Sequence, residues 1–418
     1  MILTEPEDVL VSAPDVDTLD LRPSERALEL REALVQFMRD QVFRAERDYE
    51  EFRRKADPGD SIVPPIVEDL KREAKARRLW NLFLPAESGL GQLDYAGLAE
   101  VMGWSLDLAP EATNCAAPDT GNMELLHLFG SGEQQRRWLR PLLDGQIRSA
   151  FSMTEIGVAS SDATNIETSI RRDGNEYVIN GRKWWSSGAA DPRCELLIVM
   201  GQTNPQTEPH RQQSMVLVPR SAPGVTIVRD VPVFGRLAQH GHCEVLYDDV
   251  RVPVTNILGK EGAGFAIAQA RLGPGRIHHC MRAIGAAERA LALMTKRARS
   301  RVAFGRPLGD QGVVQQQIAE SRAGIDQARL LCQLAAKTID VYGNKVAAPY
   351  VSAAKVVVPR VTLEVIDRAI QVYGGAGVSD DVPLAAMYGW HRAMRIFDGP
   401  DEVHLRTLAR SELRKWEG

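Results

Sequence analysis

From Pro23 to Ala56 apolar residues recur at helical intervals, with Leu28, Leu30, Leu34, Phe37 and Met38 set among dense charge. That spacing predicts an amphipathic helix. A second is predicted from Pro65, carrying Val67, Leu70 and Ala74 on one face and ending before Pro85. Phe83 to Gly91 reads as a loop, and Tyr95 to Trp104 resumes the helical period. Gly121 to Leu126 and Glu133 to Leu139 alternate helix with short turns, so the chain is predicted to be mostly helical as far as Ser149. At Ala150 the texture changes to period-two alternation and β-branched residues, as in Tyr177-Val178-Ile179, Glu195 to Met200 and Ser214 to Val218. Asn180-Gly181 follows the first of these runs and predicts a hairpin turn, because both residue types tolerate the positive φ that such turns require. The polar stretch Thr203 to Gln213 reads as an exposed loop between two strands. Beyond Leu258-Gly259 the helical period returns over Gly264 to Ser300, Val313 to Tyr342, Ala347 to Val372 and Leu384 to Arg414. Long helices joined by short Gly- and Pro-marked turns predict an antiparallel bundle.

The patterns divide the chain into an extended tail over 1–22, a helical domain over 23–149, a β domain over 150–257 and a four-helix bundle over 258–418, an α+β architecture. With 418 residues the chain can bury a large core. Charged residues make up 25% and the net charge is -4, which argues against a nucleic-acid partner. Cys115, Cys194, Cys243, Cys280 and Cys332 show no Cys-x-x-Cys spacing and read as reduced thiols. The first twenty residues resemble neither a secretion signal nor a transit peptide, and Lys415-Trp416-Glu417-Gly418 is no peroxisomal address. No uninterrupted apolar run approaches the length that spans a bilayer. The expectation is a soluble cytoplasmic protein with no membrane partner.

Candidate chemistry concentrates near the C-terminus. Arg395-Ile396-Phe397-Asp398-Gly399-Pro400-Asp401-Glu402-Val403-His404 sets a carboxylate beside a Gly-Pro turn between two helical runs. Such an Asp can simply start the turn or cap the next helix, yet bends at helix ends also present side chains to clefts. Upstream, Gln371-Val372-Tyr373-Gly374-Gly375-Ala376-Gly377 crowds glycines behind an apolar helix, which lets backbone approach a bulky group such as a pyrophosphate. Glycines also merely end helices. Together the two stretches resemble the C-terminal signature of the acyl-CoA dehydrogenase family. Asp398-Gly399-Pro400 in place of the usual Glu-Gly-Thr is similar to the subfamily numbered ten and eleven. The α, β, α order matches the same plan from about Pro65 onward, and implies a β-barrel-like middle domain.

The resemblance implies FAD as cofactor and assigns positions to it. Phe151-Ser152-Met153-Thr154-Glu155 resembles the flavin-binding motif, with Phe151, Met153 and Thr154 toward the ring. Ile156 replaces the usual Pro and one residue is inserted, so Ser160 or Ser161 contacts phosphate; Ser160 is favoured, and Ser161 is then placed toward the substrate. Asn180 to Gly188 holds Trp184-Trp185-Ser186-Ser187, where Trp185 lies against the isoalloxazine and Ser186 and Ser187 offer hydroxyls; paired indoles are otherwise core residues. Arg301 and Phe304, like Gln371, Gly374 and Gly375, are implied to reach across a subunit interface to a neighbour's cofactor, although an Arg at a helix end also favours the dipole. The family's Gln falls one position early, at Gln311. Pro400 and Glu402 complete the cofactor set. Arg276 matches a position near the nucleotide end of coenzyme A, and His240 and Gly399, the latter next to the base, match substrate-side positions.

By the same resemblance Asp398 abstracts the α proton of an acyl-CoA thioester while the β hydride passes to flavin N5, giving a trans-2-enoyl-CoA. An electron-transfer flavoprotein is the implied acceptor and a homodimer or homotetramer the implied assembly. An acyl-CoA oxidase on the same scaffold, or a catalytically silent binding protein, are the rival readings; Pro400 and the displaced Gln311 favour the second. Adjacent His278 and His279 point about 100 degrees apart on a helix and cannot share a metal, and His240-Gly241-His242-Cys243 lacks a second ligand pair. No nicotinamide or ATP motif is present. Glu124 is placed either on the surface or inside the acyl channel, where it would imply a polar acyl group.

Overall fold

The structure is a computed structural model that describes residues 19–55 and 63–416. The extended tail expected over 1–22 therefore lies largely outside the described residues, as do Ala56 and the last two residues of the C-terminal tetrapeptide. In the N-terminal part, helices α1 (Glu25–Phe37) and α2 (Phe43–Lys55) run on through one π-helical turn, Met38–Val42. They are followed by α3 (Pro65–Ala76), α4 (Gln92–Met102) and α5 (Asp119–Phe129). Ser24 caps α1 and also bonds to Asp94, while Asp340 from the distant bundle accepts from the first amides of α4 at 2.7 and 2.9 Å. Those two carboxylates satisfy polar groups that helix starts leave open and so fix how the N-terminal helices sit on the bundle.

Seven strands form one sheet: β1 (Arg148–Ser152), β2 (Ser169–Asp173), β3 (Glu176–Ser187), β4 (Cys194–Gln202), β5 (Gln213–Pro219), β6 (Val225–Asp230) and β7 (His242–Pro253). Their order is β1-β4-β2-β3-β7-β6, with β5 beside β4. The apolar run in β4 is unbroken because both faces are covered. Leu197 and Val199 enter the core of the β unit, whereas Leu196, Ile198 and Met200 join the helical core.

The hairpin expected at Asn180-Gly181 is not there. β3 runs straight through it, and the turn falls at Gly174, φ +61, between β2 and β3. Asn180 instead accepts from the amide of Asp249 across a bulge in the β3–β7 pairing. Gly181 is required because a Cβ would lie 2.3 Å from Oγ1 of Thr168. Tertiary packing, rather than turn preference, selects this dipeptide.

The C-terminal part contains α6 (Gly264–Ser300), a short ribbon through Arg306, and α7 (Gly312–Tyr373), which breaks at Gly343, φ 79, into the two helices expected. The 312–378 stretch is long and apolar enough by composition to cross a membrane. Here its buried residues, among them Ala328, Cys332 and Ala335, belong to the helical core. α4 and α6 cross at contact distance: a Cβ on Gly285 would lie 1.9 Å from the carbonyl oxygen of Glu100, and one on Gly103 2.0 Å from that of Arg282. The expected final helix is two, α8 (Leu384–Met394) and α9 (Asp401–Arg414), separated by the turn that holds Asp398. Pro400 enforces the break, since it cannot donate within a helix and is the N-cap of α9.

Candidate active site

Asp398 sits on that turn at φ +54, and Gly399 follows at φ +100. A Cβ on Gly399 would approach Nε2 of His404 to 2.8 Å, so glycine is needed for space as well as conformation. The turn is held by its carbonyls. Lys355, 1% exposed, donates to the carbonyls of Met394 (2.5 Å) and Phe397 (2.9 Å). The carbonyl of Asp398 accepts from Nε of Arg276 at 2.8 Å and faces Nε2 of His404 at 3.3 Å. Buried Asp401 pairs with Arg360 and Arg395 and anchors the start of α9. The decamer thus reads residue by residue as a clamp around one carboxylate.

The Asp398 side chain is 21% exposed and opens into a cleft of about 2730 Å³. Ordinary small-molecule pockets are about 300–1,000 Å³, so the cleft has room for a dinucleotide and a second large ligand. Burial disfavours the charged carboxylate, but His279, Arg271, Lys355 and Arg276 outweigh it and hold the carboxyl below its usual range. His279 itself is pushed down to about 3, by burial and then Arg282, and is neutral at physiological pH. With that imidazole neutral, the charges of Arg271, Lys355 and Arg276 carry the effect there.

Across the cleft stand Phe151, Met153, Thr154, Ser160, Ser161, Trp185 and Ser187. The carbonyl of Thr154 accepts from the amide of Trp184 at 3.0 Å. Behind them Lys183, wholly buried, donates to the carbonyl of Met153 (2.8 Å) and to Glu155 (2.7 Å). Trp185 adopts φ +53 at a bulge in β3, which turns its ring outward, 37% exposed. Ring contacts continue from Trp185 through His242 and Trp390 to Phe397, with centroids 5.6, 6.1 and 5.5 Å apart. Nε1 of Trp184 is buried here without a partner. Apolar ring faces, hydroxyls and an unspent indole donor fit a planar polar-edged cofactor.

The remaining candidate residues lie as follows. Ser186 points away from the cleft, where strand alternation buries it against Ser152 at 2.9 Å. The hydroxyl of Ser160 accepts from the amide of Glu155 at 2.8 Å and shapes the loop, while Ser161 is exposed at the cleft. Arg276 lines the cleft and donates from Nε to the Asp398 carbonyl. His240 is held by Asp191 (2.8 Å) and Glu111 (3.3 Å) in a buried ion cluster with Arg148. Burial and Arg148 oppose its charge, but Glu111 and Asp191 prevail and raise its pKa. Pro400 and Glu402 do not line the cleft, and Glu402 is exposed.

Arg301, Phe304, Gln371, Gly374 and Gly375 also lie outside this cleft, exposed at one end of the bundle, where Arg297 over the ring of Tyr373 (5.3 Å) ties the two segments together. Gln311 is taken by Arg306 at 2.9 Å. Glu124 is 6% exposed, outside the cleft lining, with burial pushing its pKa up to about 8 against the opposing charge of Arg271.

Sequence reasoning missed Arg271, His279, Arg282 and Lys355 as site residues. The signal was available: Arg271, His279 and Arg282 recur at helical spacing on one face of a core helix, where polar residues need partners. Among the described residues no cluster could hold a metal ion.

Residues 150–250 match the model of the acyl-CoA dehydrogenase middle domain and 262–413 that of the acyl-CoA dehydrogenase C-terminal domain. FadE2 of Mycobacterium tuberculosis, named as a probable acyl-CoA dehydrogenase, is 69% identical over 95% of this chain and 98% of its own. Acyl-CoA dehydrogenase family member 11 of Homo sapiens is 52% identical over 90% of this chain, which spans only 49% of that longer relative. A solved Mycobacterium abscessus structure assigned to the acyl-CoA dehydrogenases superposes with a TM-score of 0.92, at 47% identity over 94% of this chain and 100% of that one.

Proposed function

Because this chain belongs to the acyl-CoA dehydrogenase family, we propose that it oxidises an acyl-CoA thioester to the trans-2-enoyl-CoA with Asp398 as the base. Members of the family are FAD-dependent. Bound in the cleft, FAD supplies the acceptor for the hydride that leaves the β carbon. Met153, Thr154, Trp185 and Ser187 would hold the ring and Ser161 a phosphate. The exposed groups around Arg301, Phe304, Gln371, Gly374 and Gly375 would serve the cofactor of a neighbouring subunit in a homodimer or homotetramer.

The observation that carries the reading is the position of the Asp398 carboxylate. It opens from a rigid turn into the same cleft as the wall of Trp185 and Ser187. The α proton passes to this carboxylate as the α–β double bond forms. Substrate entry removes water around the carboxyl and raises its proton affinity from the depressed resting state. Among the described residues the amide of Asp398 has no acceptor, and it would donate to the thioester oxygen and stabilise the enolate as charge develops. Aspartate is one methylene shorter than glutamate, so the backbone has to bring the base closer; Lys355 and Arg276 provide that hold by drawing in the turn's carbonyls. Electrons then leave for an electron-transfer flavoprotein in a soluble cytoplasmic setting.

Asp398→Asn tests the assignment. The variant is expected to keep its FAD absorbance but lose bleaching by acyl-CoA under anaerobic conditions. Bleaching at a near-normal rate would remove Asp398 from the role.

A further inference from the structure

One group of side chains in the cleft has no task in the proton abstraction described above. Arg282, 4% exposed, lies with Nη2 3.1 Å from Nδ1 of His279. Nε2 of His279 in turn lies 3.4 Å from Oδ2 of Asp398. Arginine has only donors and keeps its protons. Nδ1 of His279 must therefore be the bare, accepting nitrogen. A neutral imidazole then carries its single proton on Nε2, the nitrogen that faces the carboxylate.

The surroundings keep the ring neutral. Burial comes first, followed by the charges of Arg282, Lys355 and Arg271, which together outweigh the attraction of Asp398. The ring plane is fixed by an edge contact with Phe397, centroids 5.0 Å apart at 62°. The other charged or titratable groups that face Asp398 do so differently. Arg271 and Arg276 come from α6, Lys355 from α7 and His404 from α9. Arg276 and His404 address its carbonyl, and among the described residues no Lys or Arg nitrogen lies within 4.0 Å of its carboxylate. Among the described residues His279 is the basic side chain within ion-pair distance of the carboxylate itself.

Resting on the reading of Asp398 as the base, we infer that Arg282 and His279 form a positioning pair, in which Arg282 locks the imidazole tautomer and His279 aims Nε2–H at Asp398. The pair orients the carboxylate and stabilises its charged form. It is not a proton relay, because Nδ1 is occupied by a guanidinium that has no use for a proton. The abstracted proton stays on Asp398. At 3.4 Å the His279–Asp398 contact is longer than a full hydrogen bond, and such contacts tighten when substrate closes the site.

The test uses the FAD-loaded enzyme and a 3-thiaacyl-CoA, whose β position is sulfur and has no hydride to give. Exchange of its α proton in D2O, followed by NMR across pH, reads the base alone. His279→Leu is expected to slow exchange by about tenfold or more, the loss of one charge-assisted hydrogen bond. It should also move the acid limb to higher pH and lower kcat with KM unchanged. His279→Gln, whose amide N–H reaches the Nε2 position, should restore most of the rate. In 15N-histidine-labelled protein, Nδ1 of His279 should resonate as an unprotonated nitrogen, and Arg282→Met should abolish that signature. An unmoved acid limb in His279→Leu, a Gln variant no better than Leu, or a protonated Nδ1 in the parent protein would each overturn the inference. Undiminished exchange in Asp398→Asn would instead bring down the assignment of the base, and this inference with it.

Discussion

Replacing Gly399 by alanine would set a methyl group 2.8 Å from Nε2 of His404, well inside the carbon contact distance of about 3.5 Å. The backbone adds to the difficulty. At φ +100 the position lies beyond even the left-handed helical region, and a residue with a Cβ held there is strained by about 1–3 kcal/mol. His404 cannot easily step aside, being 1% exposed with Nδ1 3.3 Å from Oγ of Ser352 and Nε2 3.3 Å from the Asp398 carbonyl. The turn must move instead, and it carries Asp398 with it. A shift on the order of 1 Å at a reacting group costs about a hundredfold in rate, whereas strain of this size lowers the melting temperature by only about a few degrees in a chain of this length. Anaerobic stopped-flow bleaching of the FAD by acyl-CoA measures the first effect, and thermal unfolding measures the second. The reasoning is refuted if bleaching stays within about threefold of the parent rate. It is equally refuted if FAD is lost, because Gly399 is held to position the base and nothing else.

At Gly375 a Cβ meets nothing within 4 Å and φ is not positive, so Gly375→Ala should leave folding and thermal stability unchanged. If a neighbour's cofactor packs there, as proposed, FAD dissociation should accelerate markedly; unchanged retention would move the cofactor elsewhere. Acid should destabilise the fold through its buried imidazoles, offset in part by Glu124, whose carboxyl is pushed up to about 8 and so binds its proton more tightly in the fold. His242, His391 and His404 are pushed down to about 4 from 6.5, in each case chiefly by burial. Between those values the unfolded chain binds more protons, so stability is full above pH 6.5 and falls toward pH 4, by up to about 1.4 kcal/mol per unit for each ring. Urea midpoints from pH 7 to 4.5 would show it, and a flat profile would refute it.

Much of this was legible in the chain. Short apolar, β-branched runs at 195–200 and 214–218 marked β4 and β5, and helical spacing marked α6 and both halves of α7. The turn at Asp398 was legible because a chain entering Gly-Pro can hardly continue a helix, whereas its proposed role as the base came from the family resemblance. What failed did so for tertiary reasons. Asn180-Gly181 has every local mark of a turn, yet pairing with β7 and the side chain of Thr168 keep it in a strand. Ser186 follows Trp185 and Ser187 in type, but sheet alternation sends it the other way. His240 carries a motif's position but not its freedom, since Asp191 and Glu111 claim the ring. The polar face carrying His279 and Arg282 could be seen in the helix pattern, but not its partner, because nothing in a helix sequence says which polar residue meets a turn more than a hundred positions later.

β4 is a party wall. Its odd and even residues furnish two different rooms, Leu197 and Val199 one, Leu196, Ile198 and Met200 the other. The middle segment is therefore no cassette: cut loose, it would carry a greasy flank evolved to lie against helices, and grafted onto a foreign scaffold it would need that scaffold to supply the missing tenants.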